Sequence, residues 1–165
     1  MDASSRFQDS LPISSDALLE QLANWELSFD YWEHLPFRTV EDSKRVREVF
    51  LSAEDSGGHI KNLFLRNKKK QSYLVVLQED AQVDLKQLAN QLGTGRLSFG
   101  SADRLLECLG VRPGAVTPLS MITGCKHEVT LYLDKSIMSM QRIYMHPLVN
   151  DRTICMSPEG LTHFF

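Results

Sequence analysis

The sequence predicts a single α/β domain: a mixed β-sheet, partly barrel-like, flanked by helices. Three observations carry this. Apolar residues alternate with period two in several short runs and recur at helical spacing in others. One pair of strand-like runs, Leu63 to Asn67 and Ser72 to Gln78, is joined by a short basic turn and reads as a hairpin. A hairpin among helices favours a mixed sheet over a purely parallel one. The chain has 165 residues, 42% apolar and 24% charged, which suffices for one buried core spanning residues 1–165.

The elements follow in order. Residues 1–14 read as a loose N-terminal arm. Ser14 or Ser15 caps a helix over 16–27, with Leu18, Leu22 and Trp25 on one face. Ser28 to His34 reads as a strand, with Phe29, Tyr31 and Leu35 alternating, and Pro36 ends it. Thr39-Val40-Glu41-Asp42 resembles a capping box that opens a helix toward Phe50. Ser56-Gly57-Gly58 reads as a flexible loop before the hairpin. Asp84 caps a helix bearing Leu85, Leu88, Ala89 and Leu92, which Gly93 ends. Ser101 caps another, with Leu105, Leu106 and Leu109 inward and Gly110 at its end. Residues 113–118 form a Pro/Gly loop. Val129-Leu131-Leu133, Arg142 to His146 and Arg152 to Met156 read as strands. Ser157-Pro158 opens a last short helix.

Composition excludes several classes. No stretch approaches the ~20 apolar residues of a membrane span, and the first residues do not read as a secretory signal. Cys108, Cys125 and Cys155 are odd in number and widely spaced, so neither a disulfide framework nor a Cys-rich zinc site is expected. Reduced thiols fit a cytoplasmic protein. The five His residues show no ligand spacing, so neither metal nor cofactor is expected. P-loop and nucleophile-elbow motifs are absent. The net charge of −3 argues against a generic nucleic-acid binder. Charge is uneven, however: residues 1–40 hold two basic and seven acidic residues, whereas 41–75 hold eight basic and five acidic. Lys68, Lys69 and Lys70 read either as a solvated turn or as a phosphate-facing patch.

Three loop-borne clusters remain: Gly57 to Asn62, Gly114 to Pro118, and His146 to Asn150. Each has an ordinary reading. Lys61 is a surface lysine, Asn62 a turn residue, and His146 a strand-end histidine. Together they also offer an ammonium, a turn whose backbone N–H groups face an anion, and polar pocket walls. Such parts suit metal-free hydrolysis of a reactive ester.

The stretches GGHIKNLFLRNKKK (57–70), GRLSFGSADRLLECLGVRPGAVTP (95–118) and HPLVNDRT (146–153) resemble the free-standing homologues of the prolyl-tRNA synthetase editing insertion, the YbaK-like aminoacyl-tRNA deacylase superfamily. The branch most resembled is that of PrdX and ProXp-ala. The resemblance runs from about residue 15 to the C-terminus. It implies the fold of that superfamily and a trans-editing reaction that hydrolyses alanine mischarged onto proline tRNA. It implies that Lys61 orients the substrate carbonyl or phosphate. It places Gly114, Ala115 and Pro118 in a G-x-x-x-P loop facing the aminoacyl group, and Asn62, His146 and Asn150 around the pocket. A 2′-hydroxyl of the terminal adenosine helps activate the water in that family, which fits the lack of an evident side-chain base here. Ile60 stands where relatives commonly carry Thr, so the pocket is reshaped at that point.

The implied partners are the acceptor end of a mischarged tRNA, contacted through Arg66, Lys68, Lys69 and Lys70, with prolyl-tRNA synthetase or an elongation factor as further partners. A monomer is expected, and no membrane partner. Two alternatives stay open: a deacylase for serine or cysteine esters, and a noncatalytic tRNA- or synthetase-binding module.

Overall fold

The computed structural model describes residues 1–36 and 58–165. The expected capping box at 39–42, the helix toward Phe50 and the loop residues Ser56 and Gly57 lie outside the described residues.

Among the described residues the strands are β1 (Asp30–Glu33), β2 (Gly58–Arg66), β3 (Ser72–Gln78), β4 (Ser98–Phe99), β5 (Thr130–Leu133), β6 (Ile143–Met145) and β7 (Arg152–Met156). They form one mixed sheet in the order β1-β7-β6-β2-β3-β5, with β4 paired to β2. Only β2–β6 and β3–β5 run parallel. The sheet is open, with β1 and β5 outermost, so no barrel closes.

The helices are α1 (Ser15–Asn24), α2 (Leu85–Leu92), α3 (Ala102–Leu109), α4 (Met121–Gly124) and α5 (Pro158–Phe164). Their ends are set locally, as the sequence indicates. Ser14 Oγ accepts from Ala17 N (3.1 Å), Asp84 Oδ1 from Lys86 N (2.9 Å), Ser101 Oγ from Arg104 N (3.2 Å), and Ser157 Oγ from Gly160 N (3.0 Å). Gly93 and Gly110 terminate α2 and α3 at φ +67°.

Two apolar layers hold the sheet. Leu18, Leu22, Leu105, Leu109 and Leu161 cover one face, against Leu74, Val76, Ile143 and Ile154. On the other face, Leu65, Tyr73 and Val75 pack on Ala89 of α2 and on Leu97.

Four local expectations are corrected. The arm is docked rather than loose. Ser5–Ser10 is a 3₁₀-helix, Ala3 and Leu11 are buried, and Ser5 N and Oγ donate to the two carboxylate oxygens of Asp151 (2.8 and 2.6 Å). Trp25 lies beyond the end of α1 and is 48% exposed, because the helix stops at Asn24. Tyr31 and Leu35 are exposed: Tyr31 shares the core face with its partner Ile154, as the alternation requires, but β1 is an outermost strand of the sheet. Gly58 opens β2 instead of lying in a loop, since its N–H pairs with Arg142 O (2.8 Å).

Candidate active site

Among the described residues, pairing leaves a gap beside β2. On one side β2 is paired with β3 from Ile60 to Arg66. On the other, β6 covers only Gly58 and His59, and β4 only Leu65 and Arg66. Gly58 N and Phe64 O direct their bonds to this second side, reaching Arg142 O (2.8 Å) and Gly100 N (3.0 Å). Backbone groups alternate sides along a strand, so Asn62 presents its N–H and C=O to the gap. Had β6 continued, the His146 carbonyl would have met that N–H. Instead Pro147 breaks the ladder, and His146 O accepts from Leu148 N (3.0 Å). The turn holds Leu148 at φ +69°, a region rare for a branched side chain, although the residue is only 2% exposed. Such strain is characteristic of a turn shaped by a site.

The Gly114–Pro118 loop lies against this gap. Asn62 Nδ2 donates to Val116 O (3.1 Å), which pins the loop to β2. Gly114 sits at φ +96°, and a Cβ there would lie 3.5 Å from Asn150 Nδ2. Ala115 and Pro118 are buried. The Ala115 N–H donates to Arg112 O (3.1 Å), so it stabilises the turn instead of facing an anion. Two buried amide oxygens, Asn62 Oδ1 and Asn150 Oδ1, have no hydrogen-bond partner among the described residues. Buried acceptors without partners cost about 1–3 kcal/mol, and each calls for a donor supplied by something else.

Asn62, the Gly114–Pro118 loop and Asn150 therefore come together, with Ile60 on the same face of β2. Lys61 points to the opposite face, where its ammonium donates to the Ala81 carbonyl. His146 also belongs to that face, since Tyr144, two residues before it, pairs with His59.

His146 Nδ1 is 2.8 Å from Arg152 O, and its ring lies 6.2 Å from that of His34. Burial pushes its pKa down to about 4, against 6.5 for an ordinary histidine; burial lowers that of His34 as well. The folded state thus keeps His146 neutral where the unfolded chain is protonated. Stability is full above pH 6.5 and falls as pH drops toward 4, by up to about 1.4 kcal/mol per pH unit. Urea unfolding at pH 7 and pH 5 should show this loss, and His146→Gln should reduce it. An identical pH dependence in the variant would contradict the assignment.

Arg66, Lys68 and Lys70 do not join this cluster. With Arg96 they border a separate groove of about 370 Å³ at the far end of the hairpin. Arg66 is about 13 Å from Asn62 at ~3.3 Å per strand residue. The turn is fixed, because Asn67 Nδ2 lies within bonding distance of Gln71 Oε1, Tyr73 Oη and Thr94 O. Lys69 is exposed on the same turn. No group of three or more metal-ligating side chains occurs among the described residues, and none of their helices is long and apolar enough to cross a membrane. Sequence reading missed the gap itself, the strained Leu148 and the approach of His34; each arises from pairing between distant segments.

Residues 34–164 match the aminoacyl-tRNA editing domain family. The chain belongs to that family. It is, with its family, an aminoacyl-tRNA hydrolase, and the superfamily resemblance read in the sequence stands. The chain is 33% identical over 149 residues to the prolyl-tRNA editing protein ProX of Acetoanaerobium sticklandii, covering 90% of this chain and 88% of that one. It is 34% identical over 154 residues to the prolyl-tRNA synthetase associated domain-containing protein 1 of Bos taurus, covering 90% and 86%. The fold is shared with the hypothetical protein APE2540 (TM-score 0.69, 18% identity, 89% and 92% covered). A protein described as a candidate trans-editing enzyme for prolyl tRNA synthetase also shares it (TM-score 0.68, 18% identity, 91% and 90% covered).

Proposed function

We propose that this editing domain hydrolyses the ester of alanine mischarged onto proline tRNA. The observation that supports this reading best is the strand register, by which the backbone N–H of Asn62 faces the stretch of β2 left unpaired among the described residues, beside the Gly114–Pro118 loop. In this reading the ester carbonyl enters the gap and accepts from that N–H, which stabilises the oxyanion as water attacks. The carbonyl carbon gains the water oxygen, the bond to the ribose oxygen breaks, and that oxygen leaves with a proton. The α-ammonium finds its acceptors in Asn62 Oδ1 and Asn150 Oδ1. In this reading Ile60, Ala115 and Pro118 form the apolar wall beside the substrate's side chain, leaving room for a methyl group and excluding the proline ring. Lys61 reaches round the open strand edge on its flexible stem to orient the substrate carbonyl or phosphate. His146 holds the turn that opens the gap. The 2′-hydroxyl of the terminal adenosine assists the water, so no side-chain base is required.

The tRNA body lies toward the hairpin tip, with phosphates near Arg66, Lys68, Lys69 and Lys70. A local basic end suits brief, salt-sensitive contact despite the negative net charge. The protein acts as a cytoplasmic monomer on free tRNA or on tRNA handed over by the synthetase or an elongation factor. Purified protein should release alanine from the mischarged tRNA. Lys61→Ala should lower kcat/KM by at least about 10-fold, as expected for removing a charged group from the reacting ester. Unchanged turnover in the variant would remove Lys61 from the mechanism.

A further inference from the structure

A second cavity lies directly behind the Gly114 turn. It measures about 360 Å³ and runs between the docked arm at Met1–Ala3 and the Arg112-Pro113 segment, with Asn150 on its wall. Pockets of this size hold small ligands or single nucleotide units. It exists because the arm is tied down, with Ala3 O accepting from Asn150 N (2.8 Å) and Asp151 accepting from Ser5. Its cation is Arg112. Among the described residues the guanidinium has no carboxylate partner, and its one polar contact is Met1 Sδ at 3.6 Å, a weak acceptor. Asp2 also lines this cavity; Ser4 N (2.9 Å) and Ser4 Oγ (2.5 Å) donate to its carboxylate and hold it ionised, and among the described residues no ion pair joins it to Arg112.

The geometry points to a phosphodiester seat: we infer that Arg112 pairs with the phosphate one nucleotide before the esterified terminus, and that the docked arm forms the wall against which that nucleotide rests. The inference rests on the deacylase reading above. A guanidinium suits this task because its planar fork meets two phosphate oxygens at once. The position fits as well, since Arg112 lies two residues before Gly114 and the strand carrying the ester has to pass that turn.

The test is the salt dependence of hydrolysis of alanyl-tRNA(Pro) by the wild-type protein, Arg112→Ala and Arg112→Lys. Arg112→Ala should raise KM about 10-fold with kcat within about twofold, the size of one lost charge-assisted contact. Its slope of log(kcat/KM) against log salt should flatten by about 0.7, the value for one single-strand phosphate. Arg112→Lys should restore most of the slope. Parallel slopes, or a fall in kcat with KM unchanged, would overturn the assignment. If the wild-type protein releases no alanine, the deacylase reading fails. The same salt series is then read on binding of uncharged tRNA, where a flattened slope supports the seat and an unchanged slope overturns it.

Discussion

Asn62→Ala is expected to lower kcat/KM for ester hydrolysis about 100-fold while leaving the protein folded, since a displacement of ~1 Å in a reacting geometry has a cost of that order. The change removes the bond to Val116 O (3.1 Å), which ties β2 to the Gly114–Pro118 loop. It also removes the buried acceptor Oδ1. The backbone N–H stays, because strand pairing with β3 holds Asn62 opposite Val76. The loop, however, is no longer pinned beside it. The stability loss should stay near 1 kcal/mol, that of one hydrogen bond. Steady-state hydrolysis together with urea unfolding checks both halves. Activity within about threefold of wild type would show that the loop is placed by something else.

The largest stability effect is expected at Leu74. It is fully buried in the middle of β3, opposite Phe64 on one side and Leu131 on the other. It belongs to the core layer shared with α1, α3 and α5. Leu74→Ala should cost about 2–5 kcal/mol, combining lost burial with the cavity left between two paired strands. The expected readout is a lower urea midpoint with an unchanged m-value. A loss under 1 kcal/mol would mean that this layer closes over the cavity.

The helix ends were legible because they are local. Asp84, Ser101 and Ser157 each cap a helix through a backbone N–H two or three residues on, and Gly93 and Gly110 close theirs. The hairpin was legible for the same reason. Trp25 and Tyr31 were misjudged because an aromatic residue at apolar spacing looks inward whether or not anything covers it. The docked arm was invisible because its anchor, Asp151, is 146 residues from Ser5.

The site was legible as a set of residues and not as an arrangement. The motif put Lys61 and Asn62 side by side, yet strand alternation sends them to opposite faces. In the proposed reading both meet the substrate at the gap between β6 and β4. That gap depends on the register of Gly58 with Ile143 and on Pro147 ending the ladder, neither of which any local pattern encodes.

The central claim is that the gap beside Asn62 cleaves the alanyl ester of proline tRNA. The most direct measurement is the rate of amino-acid release by the wild-type protein from proline tRNA charged with alanine, serine, cysteine or proline. The account predicts release of alanine far above the spontaneous rate, slower release of serine and cysteine, and none of proline. Fastest release of serine or cysteine would contradict the assigned substrate, and release of none of the four above the spontaneous rate would contradict catalysis at this site.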